Sequence, residues 1–349
     1  MTTKDIALVR VENQWIGKKA SGAPEDVVRH MCAMQAQDLG MSKWAVGIRA
    51  LGITEEDVTA AMDRGDILRT HVLRPTWHLV AKEDIRWMLE LTAPRIKRAM
   101  LSNGARRGLD EKTFKRSNAI IEKALSAGKH LTRAELQTAL EKAKLPTDDN
   151  RLSHMLMHAE LDGIMCSGVV QSKRTTHALL EERAAKKEKI GRDEALERLA
   201  TRYYTSHGPA TLKDFVWWSG LTMTDAKRGM DAVRSSFSEE QIGESVYLLP
   251  GSVRAGRSAK TSLHLLPAFD EFIIGYADRS AVLASADQRR AYSSNGMFYP
   301  VLLRDGKGIG LWKRMIVKQQ VEVEIDPFKK LGKAEMQVID KAASAFGVF

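Results

Sequence analysis

The chain has 349 residues, 44% of them apolar, so it is long enough to bury more than one hydrophobic core. Lys and Arg outnumber Asp and Glu by 54 to 44, and the resulting net charge of +10 favours a polyanionic partner such as a nucleic acid without requiring one. With only two cysteines, the sequence argues against a disulfide framework and structural zinc. It begins without an apolar leader and contains no run of about 18 apolar residues, which argues against secretion and a membrane span. A soluble cytoplasmic protein is therefore predicted.

Residues 1–90 are predicted to form a first winged-helix module. Apolar periodicity predicts helices at 5–15 and 24–34, and Thr54 with Asp57 marks the start of another. The segment HVLRPTWHLV then predicts two strands, with Pro75 in a turn or at an edge because proline interrupts a central strand.

Two more modules follow, at 91–185 and 186–252. The first begins with a basic segment, since residues 91–151 hold 14 Lys and Arg against 7 Asp and Glu. Both have the pattern of a helix, a capped short helix, a third helix and a strand pair, which is the winged-helix plan. The capping signals are Thr132 with Glu135 in one module and Thr211 with Asp214 in the other.

Residues 253–349 are predicted to form a small antiparallel β domain with a terminal helix at about 331–346. Asp305-Gly306 is a hairpin signal, and QVEVEI alternates as a half-solvated strand does. The glycines of DGKGIG suggest a phosphate loop, but they lie between two predicted strands, so the hairpin is favoured. The predicted fold class is therefore α+β, with tandem winged helices before a β-rich domain.

The segment MQAQD contains the first group of residues suited to chemistry. Phosphate-binding, zinc-protease and serine-hydrolase motifs are absent from the sequence. Gln35 and Gln37 are amides where a predicted helix ends, and an amide can contact a base edge or orient a water molecule. A capping or loop role for Gln37 and Asp38 is the structural alternative.

A second group lies in RTHVLRPTWHLV. Arg69, His71 and Arg74 are close along a strand, and either bind phosphate or line a solvated wing. Trp77 and His78 follow; His78 is either part of the same surface or a core histidine hydrogen-bonded to a backbone carbonyl.

Two further patterns are better explained by structure than by binding. His154 and His158 lie one helical turn apart, but no third metal ligand is near them in sequence, so a partly exposed helix face is favoured. Phe215, Trp217 and Trp218 are more cheaply explained by core packing than by base stacking.

The segments MQAQD, RTHVLRPTWHLV, LLPAFDEFIIGYADRS and DGKGIGLWKR, in this order over nearly the whole chain, resemble a known family. This is the winged-helix DNA-binding family that includes bacterial DNA glycosylases acting on bulky alkylated bases and interstrand crosslinks. The resemblance implies tandem winged helices followed by a β-rich domain. It also implies that Gln35 and Gln37 orient the water that attacks the sugar C1′ as the glycosidic bond breaks.

Two hypotheses of different class follow. In the first, a monomeric glycosylase binds double-stranded DNA in a basic cleft between modules and needs no metal or organic cofactor; Gln35 and Gln37 are catalytic, and the residues that contact DNA or support the cleft are Asp38, Arg69, His71, Arg74, Trp77 and His78. In the second, a non-catalytic regulator reads the major groove with a helix at 148–161. A module that binds other proteins is a third possibility, which DNA binding independent of salt would support.

Overall fold

The computed structural model describes residues 2–104, 107–171, 174–184, 189–251, 262–317 and 320–349. Within these ranges helices alternate with small antiparallel sheets, in agreement with the mixed helix-and-sheet class predicted from the sequence. The predicted module boundaries after residues 185 and 252 lie outside the described residues.

The chain forms two compact units. Met1–Val58 and Leu196–Phe349 together make one, called here the discontinuous unit, and Thr59–Ala195 make the other, called the central unit. No helix among the described residues is long and apolar enough to cross a membrane. The division into four modules stays a prediction.

The N-terminal part of the discontinuous unit contains three helices and a strand, namely α1 (Thr3–Asn13), α2 (Pro24–Met31), β1 (Ala33–Gln35) and α3 (Leu39–Gly47). The helix predicted at 24–34 ends three residues early. Cys32 has a φ of 66°, which a right-handed helix cannot continue. Met34 and Gln35 therefore lie in a strand and not at the end of a helix.

The central unit begins with a helix that crosses its boundary, a strand pair and a long helix, namely α4 (Glu55–Arg64), β2 (Ile67–His71), β3 (Trp77–Ala81) and α5 (Ile85–Gly104). Strands β2 and β3 are antiparallel, with His71 opposite Trp77. Pro75 lies in the turn between them, which confirms the prediction for this proline.

The rest of the central unit runs helix, strand, two helices, two strands and a short helix, namely α6 (Glu111–Leu125), β4 (Leu131–Thr132), α7 (Arg133–Lys142), α8 (Arg151–Leu161), β5 (Met165–Ser167), β6 (Thr176–Leu179) and α9 (Leu180–Arg183). The antiparallel strands have the order β4-β6-β5. Thr132 and Glu135 form the predicted capping box. Phe114, Leu136 and Met155 pack in one core between the helices.

The chain then re-enters the discontinuous unit through three helices and a hairpin, namely α10 (Arg192–His207), α11 (Leu212–Ser219), α12 (Met223–Val233), β7 (Ser238–Ile242) and β8 (Ser245–Leu249). The capping box of Thr211 and Asp214 is present as predicted. Ala210, just before α11, forms a bridge with Leu248 of β8.

The C-terminal part is the predicted β-rich region, formed by β9 (Leu263–Leu266), α13 (Glu271–Ile274), α14 (Ser285–Ala291), β10 (Val301–Arg304), β11 (Lys307–Val317), β12 (Gln320–Pro327) and α15 (Lys333–Val348). The sheet order is β12-β11-β10-β9, antiparallel throughout. Asp305 and Gly306, with φ of 48° and 76°, make the predicted hairpin turn, since both central residues of such a turn need positive φ.

One hydrophobic core joins the two ends of the sequence in the discontinuous unit. Trp44 of α3 is buried in the same cluster as Leu265, Trp312 and Phe346. Its indole N–H donates to the carbonyl of Leu265 at 2.7 Å. The MQAQD segment between α2 and α3 is therefore fixed against elements more than 200 residues away in sequence.

Candidate active site and nucleic-acid-binding residues

The MQAQD segment leaves the core and reaches the surface within four residues. Gln35, at the end of β1, is 5% exposed, whereas Gln37 and Asp38 are exposed. Asp38 is the N-cap of α3, because its Oδ1 accepts the N–H of Met41 at 3.0 Å. The capping alternative is thus confirmed for Asp38, and its contact with DNA stays a prediction.

A buried carboxylate lies against the main chain of this segment. Glu271, the first residue of α13, is 1% exposed, and its Oε1 accepts the N–H of Gln35 at 2.7 Å. Its Oε2 accepts the indole N–H of Trp218 at 3.0 Å and faces Nε2 of His207 at 3.4 Å. All four residues belong to the discontinuous unit.

The neighbouring Asp270 fixes the position of α13. Its Oδ1 accepts the N–H of Phe272, and its two oxygens receive both terminal nitrogens of Arg49 at 2.8 Å each. Both charged side chains are fully buried, and a bidentate pair of this kind fixes orientation as well as distance. Arg49 also donates to Gln14, which in turn donates to the hydroxyl of Tyr276.

His207 is enclosed by aromatic rings. Its ring stacks on Tyr203 with centroids 4.8 Å apart and lies 5.3 Å from Trp218. Burial lowers the pKa of His207 below its ordinary value, and the nearby carboxylate of Glu271 only partly offsets this. Burial therefore favours the neutral form of the ring.

The central unit contains a second buried carboxylate, on α8. Oε2 of Glu160 accepts the main-chain N–H of His71 at 2.9 Å and lies 2.5 Å from Nδ1 of the same residue. Oε1 lies 3.5 Å from the indole nitrogen of Trp77 and 3.7 Å from Nδ1 of His177. Burial alone raises the pKa of Glu160, but the charge and hydrogen bond of His71 outweigh it and hold the pKa below its ordinary value.

The other predicted contact residues of this unit surround the same hairpin. Arg69 is half-buried, with its guanidinium 4.2 Å from the ring centre of Trp77, a cation–π contact. Arg74 is half-buried in the turn. Nδ1 of His78 lies 2.9 Å from the carbonyl of Thr76, the contact that the core interpretation of this histidine requires. Binding of DNA by these residues stays a prediction.

The alternatives set aside from the sequence have structural explanations. His158 stacks on Phe114 with centroids 4.1 Å apart and pairs with Asp162 at 3.0 Å. Phe215 and Trp218 are fully buried, which confirms core packing for both, whereas Trp217 is 42% exposed.

Glu271, His207 and Glu160 are the residues that the sequence did not indicate. Glu271 lies in the apolar stretch FDEFIIGY, and Glu160 is the last but one residue of the helix LSHMLMHAEL. A carboxylate in such a stretch is a usable signal, since buried acids are rare unless they have partners. His207 has no comparable signal in the sequence.

Three comparisons with known proteins agree. The family model described as DNA glycosylase AlkZ-like matches residues 28–349. A curated relative from Streptomyces sahachiroi, an interstrand DNA cross-link repair glycosylase, is 25% identical over 96% of this chain and 93% of its own length. The solved structure of the Streptomyces sahachiroi DNA glycosylase AlkZ superposes with a TM-score of 0.80 at 20% identity, over 99% of this chain and 95% of that one.

Proposed function

The chain belongs to the AlkZ-like DNA glycosylase family, and we propose that it hydrolyses the N-glycosidic bond of bulky alkylated or crosslinked purines in double-stranded DNA. Family membership makes it a DNA glycosylase, which is a hydrolase. The substrate is the new element of the proposal. We also propose that it acts as a monomer, without a metal or an organic cofactor.

The placement of Gln35-Ala36-Gln37 carries this proposal. Gln35 ends a strand whose main chain is hydrogen-bonded to Glu271, and Gln37 lies two residues on, at the surface. A neutral amide has no useful proton affinity, so these side chains orient water and do not take its proton. Such a site works only on a base that departs readily, and an alkylated purine, which carries a positive charge, is such a base.

Binding to DNA is supported by the central unit. Its order of helix, strand, two helices and two strands, with the sheet order β4-β6-β5, is that expected of the winged helix predicted for residues 91–185. Residues 91–151 carry an excess of seven positive charges, 14 Lys and Arg against 7 Asp and Glu, which favours phosphate contacts. In the hairpin of β2 and β3, Arg69 and Arg74 are the proposed phosphate ligands, and His71, Trp77 and His78 are proposed to support them. Asp38, in the MQAQD segment, is also proposed to contact DNA.

The same unit argues against the regulator hypothesis. The helix predicted at 148–161 begins only at Arg151. Residues 148–150 are exposed but precede the helix, and each residue of α8 (Arg151–Leu161) is buried or half-buried, whereas a reading helix exposes side chains to the major groove. In the last turn of α8, Glu160 accepts the main-chain N–H of His71, so this part of the helix packs inside the central unit. A groove-reading role for this helix is therefore not proposed.

The test is release of a base from a duplex with one N7-alkylated guanine, under single-turnover conditions. Gln37→Ala is expected to lower the rate by roughly 100-fold or more, since one positioning group in a site of this kind is worth that much. The dissociation constant for the same duplex should change by less than about twofold, because phosphate contacts dominate affinity. Gln337→Ala, at an exposed glutamine of α15, is the matched control.

Release by the natural protein and by Gln337→Ala, but not by Gln37→Ala, supports the proposal. Equal loss of base release and DNA affinity in Gln37→Ala would refute the assigned role. No release by the natural protein from alkylated or crosslinked duplexes would refute the substrate class.

A further inference from the structure

We propose that Glu271 is a positioning residue for the glycosylase site, which fixes the main chain of Gln35 and thereby the direction of the Gln35 and Gln37 amides. The inference rests on the function proposed above. Glu271 itself is 1% exposed, so it acts through Gln35 and does not contact a substrate.

The first step of the argument is the hydrogen bond itself. Oε1 of Glu271 accepts the N–H of Gln35 at 2.7 Å, a short bond of the kind that a charged acceptor makes. Gln35 is the last residue of β1, where regular strand structure ends. Cys32, with its positive φ, begins the same segment, so the path between α2 and α3 departs from regular structure at both ends. A bond at Gln35 therefore sets where the chain turns toward Gln37.

The second oxygen of Glu271 is fixed as firmly as the first. It accepts the indole N–H of Trp218 and faces Nε2 of His207. Ser206 Oγ lies 2.8 Å from Nδ1 of His207. The Ser206 hydroxyl donates its hydrogen to the carbonyl of Arg202, so Nδ1 of His207 is assigned as the donor to Ser206 Oγ. Glu271 thus accepts hydrogen bonds from Gln35 and Trp218 and lies against the ring of His207.

The third step is that the main chain of Glu271 is itself fixed. Glu271 follows Asp270, whose bidentate pair with Arg49 fixes the start of α13. Arg49 is buried and linked through Gln14 to Tyr276, whose hydroxyl donates to the carbonyl of His207. The network thus ends at the main chain of His207, whose ring faces Glu271. The carboxylate of Glu271 is therefore held in place independently of β1.

The experiment uses two variants that separate the length of the Glu271 side chain from its charge. Glu271→Asp keeps the charge but shortens the side chain by one carbon, so its carboxylate withdraws from Gln35. Glu271→Gln keeps the reach but replaces one acceptor oxygen with a donor. Misplacement by about 1 Å can cost a factor of 100 in rate, so we expect a fall in single-turnover base release of roughly 100-fold for Asp and roughly 10-fold for Gln. Affinity for the duplex should stay within about twofold of the natural protein.

Trp312→Phe is the matched control. It removes one buried indole hydrogen bond of the discontinuous unit, to the carbonyl of Leu266 at 2.8 Å, without touching Glu271. Trp218→Phe is the milder variant of the site, because it removes one donor from Oε2 and leaves the bond to Gln35. It should lower base release less than either change at Glu271, and it keeps the proposal testable if those variants fold poorly.

A second readout does not depend on activity. In protein labelled with ¹⁵N-glutamine, hydrogen exchange at the main-chain amide of Gln35 should be slow in the natural protein and in Trp312→Phe. It should be faster in Glu271→Asp. An unchanged Gln35 amide in Glu271→Asp overturns the positioning claim, whatever the activity. Equal losses of rate in Trp312→Phe and Glu271→Asp overturn it too, since the effect is then one of stability. A natural protein that releases no base, with a Gln35 amide that depends on Glu271, instead refutes the proposed function and keeps the structural link.

Discussion

Each unit of the molecule contains a buried glutamate that binds the main chain of a predicted site residue. Glu271 binds the N–H of Gln35 and the indole of Trp218, and Glu160 binds the N–H of His71 and lies near the indole of Trp77. Each also lies near a further histidine. The two sites have the same parts, although they come from different folds and different sequence motifs.

The two sites differ in what the carboxylate binds beyond the main chain. Glu160 also lies 2.5 Å from Nδ1 of His71, so it contacts the ring of that residue as well as its main chain. Glu271 meets the motif through the main-chain N–H of Gln35. Glu160 thus holds both the ring and the main chain of a predicted site residue, whereas Glu271 fixes the main chain of the proposed catalytic segment.

The largest expected effect is that of Glu160→Ala. Removal of one partner of a buried pair leaves the other polar groups unsatisfied, so we expect a loss of about 3 kcal/mol in the free energy of unfolding, measured by urea denaturation. The control is Glu122→Ala, an exposed glutamate of α6 in the same unit, which should cost under about 0.5 kcal/mol. A loss below about 1 kcal/mol for Glu160→Ala would show that the pairing is not structural and would break the comparison.

The next effect is a pH dependence at the second histidine of the central site. Burial lowers the pKa of His177 from its ordinary value of 6.5. A folded pKa below the unfolded one favours the neutral ring, so this contribution to stability is present above pH 6.5 and is lost as pH falls through the folded pKa. His177→Gln should therefore lose stability less steeply below pH 6.5, by at most about 1.4 kcal/mol per pH unit.

The check is the free energy of unfolding of both proteins at several pH values between neutral and mildly acidic. Parallel pH curves for His177→Gln and the natural protein would show that this ring does not titrate with folding. The pH dependence assigned to His177 would then be wrong.

The smallest effect concerns Asp162, a carboxylate that also pairs with a histidine but is more exposed to solvent than Glu160. Asp162 pairs with His158 and Lys97 just after Glu160 in sequence. Burial raises its pKa, but the hydrogen bonds from His158 and Lys97 outweigh this and lower it to about 2. Because the group is partly exposed, Asp162→Asn should cost under about 1 kcal/mol.

The sign of the pH effect at Asp162 follows from its lowered pKa. The contribution is present above pH 3.8, the ordinary pKa, and is lost as pH falls toward 2. The gap in unfolding free energy between Asp162→Asn and the natural protein should therefore close over that range. A gap that persists to the acid limit would show that the carboxylate's charge is not its source.

Much of the local structure could be predicted from the sequence. The capping boxes at Thr132 and Thr211 and the turn at Asp305-Gly306 are present as predicted. Each depends on residues within a few positions of one another, so a short stretch of sequence is enough to predict it. The end of α2 was missed, because nothing in the residue type of Cys32 indicates a positive φ.

The sequence by itself determined the family, the mixed helix-and-sheet class, and the segments that contain the proposed site. Only the tertiary structure decided which groups those segments meet, because Gln35 and Glu271 are 236 residues apart and His71 and Glu160 are 89 apart. Caps and turns are satisfied by neighbours in the chain. A buried N–H must instead find an acceptor within about 3 Å after the core has packed, and the pattern of one segment carries no information about which remote side chain will be there.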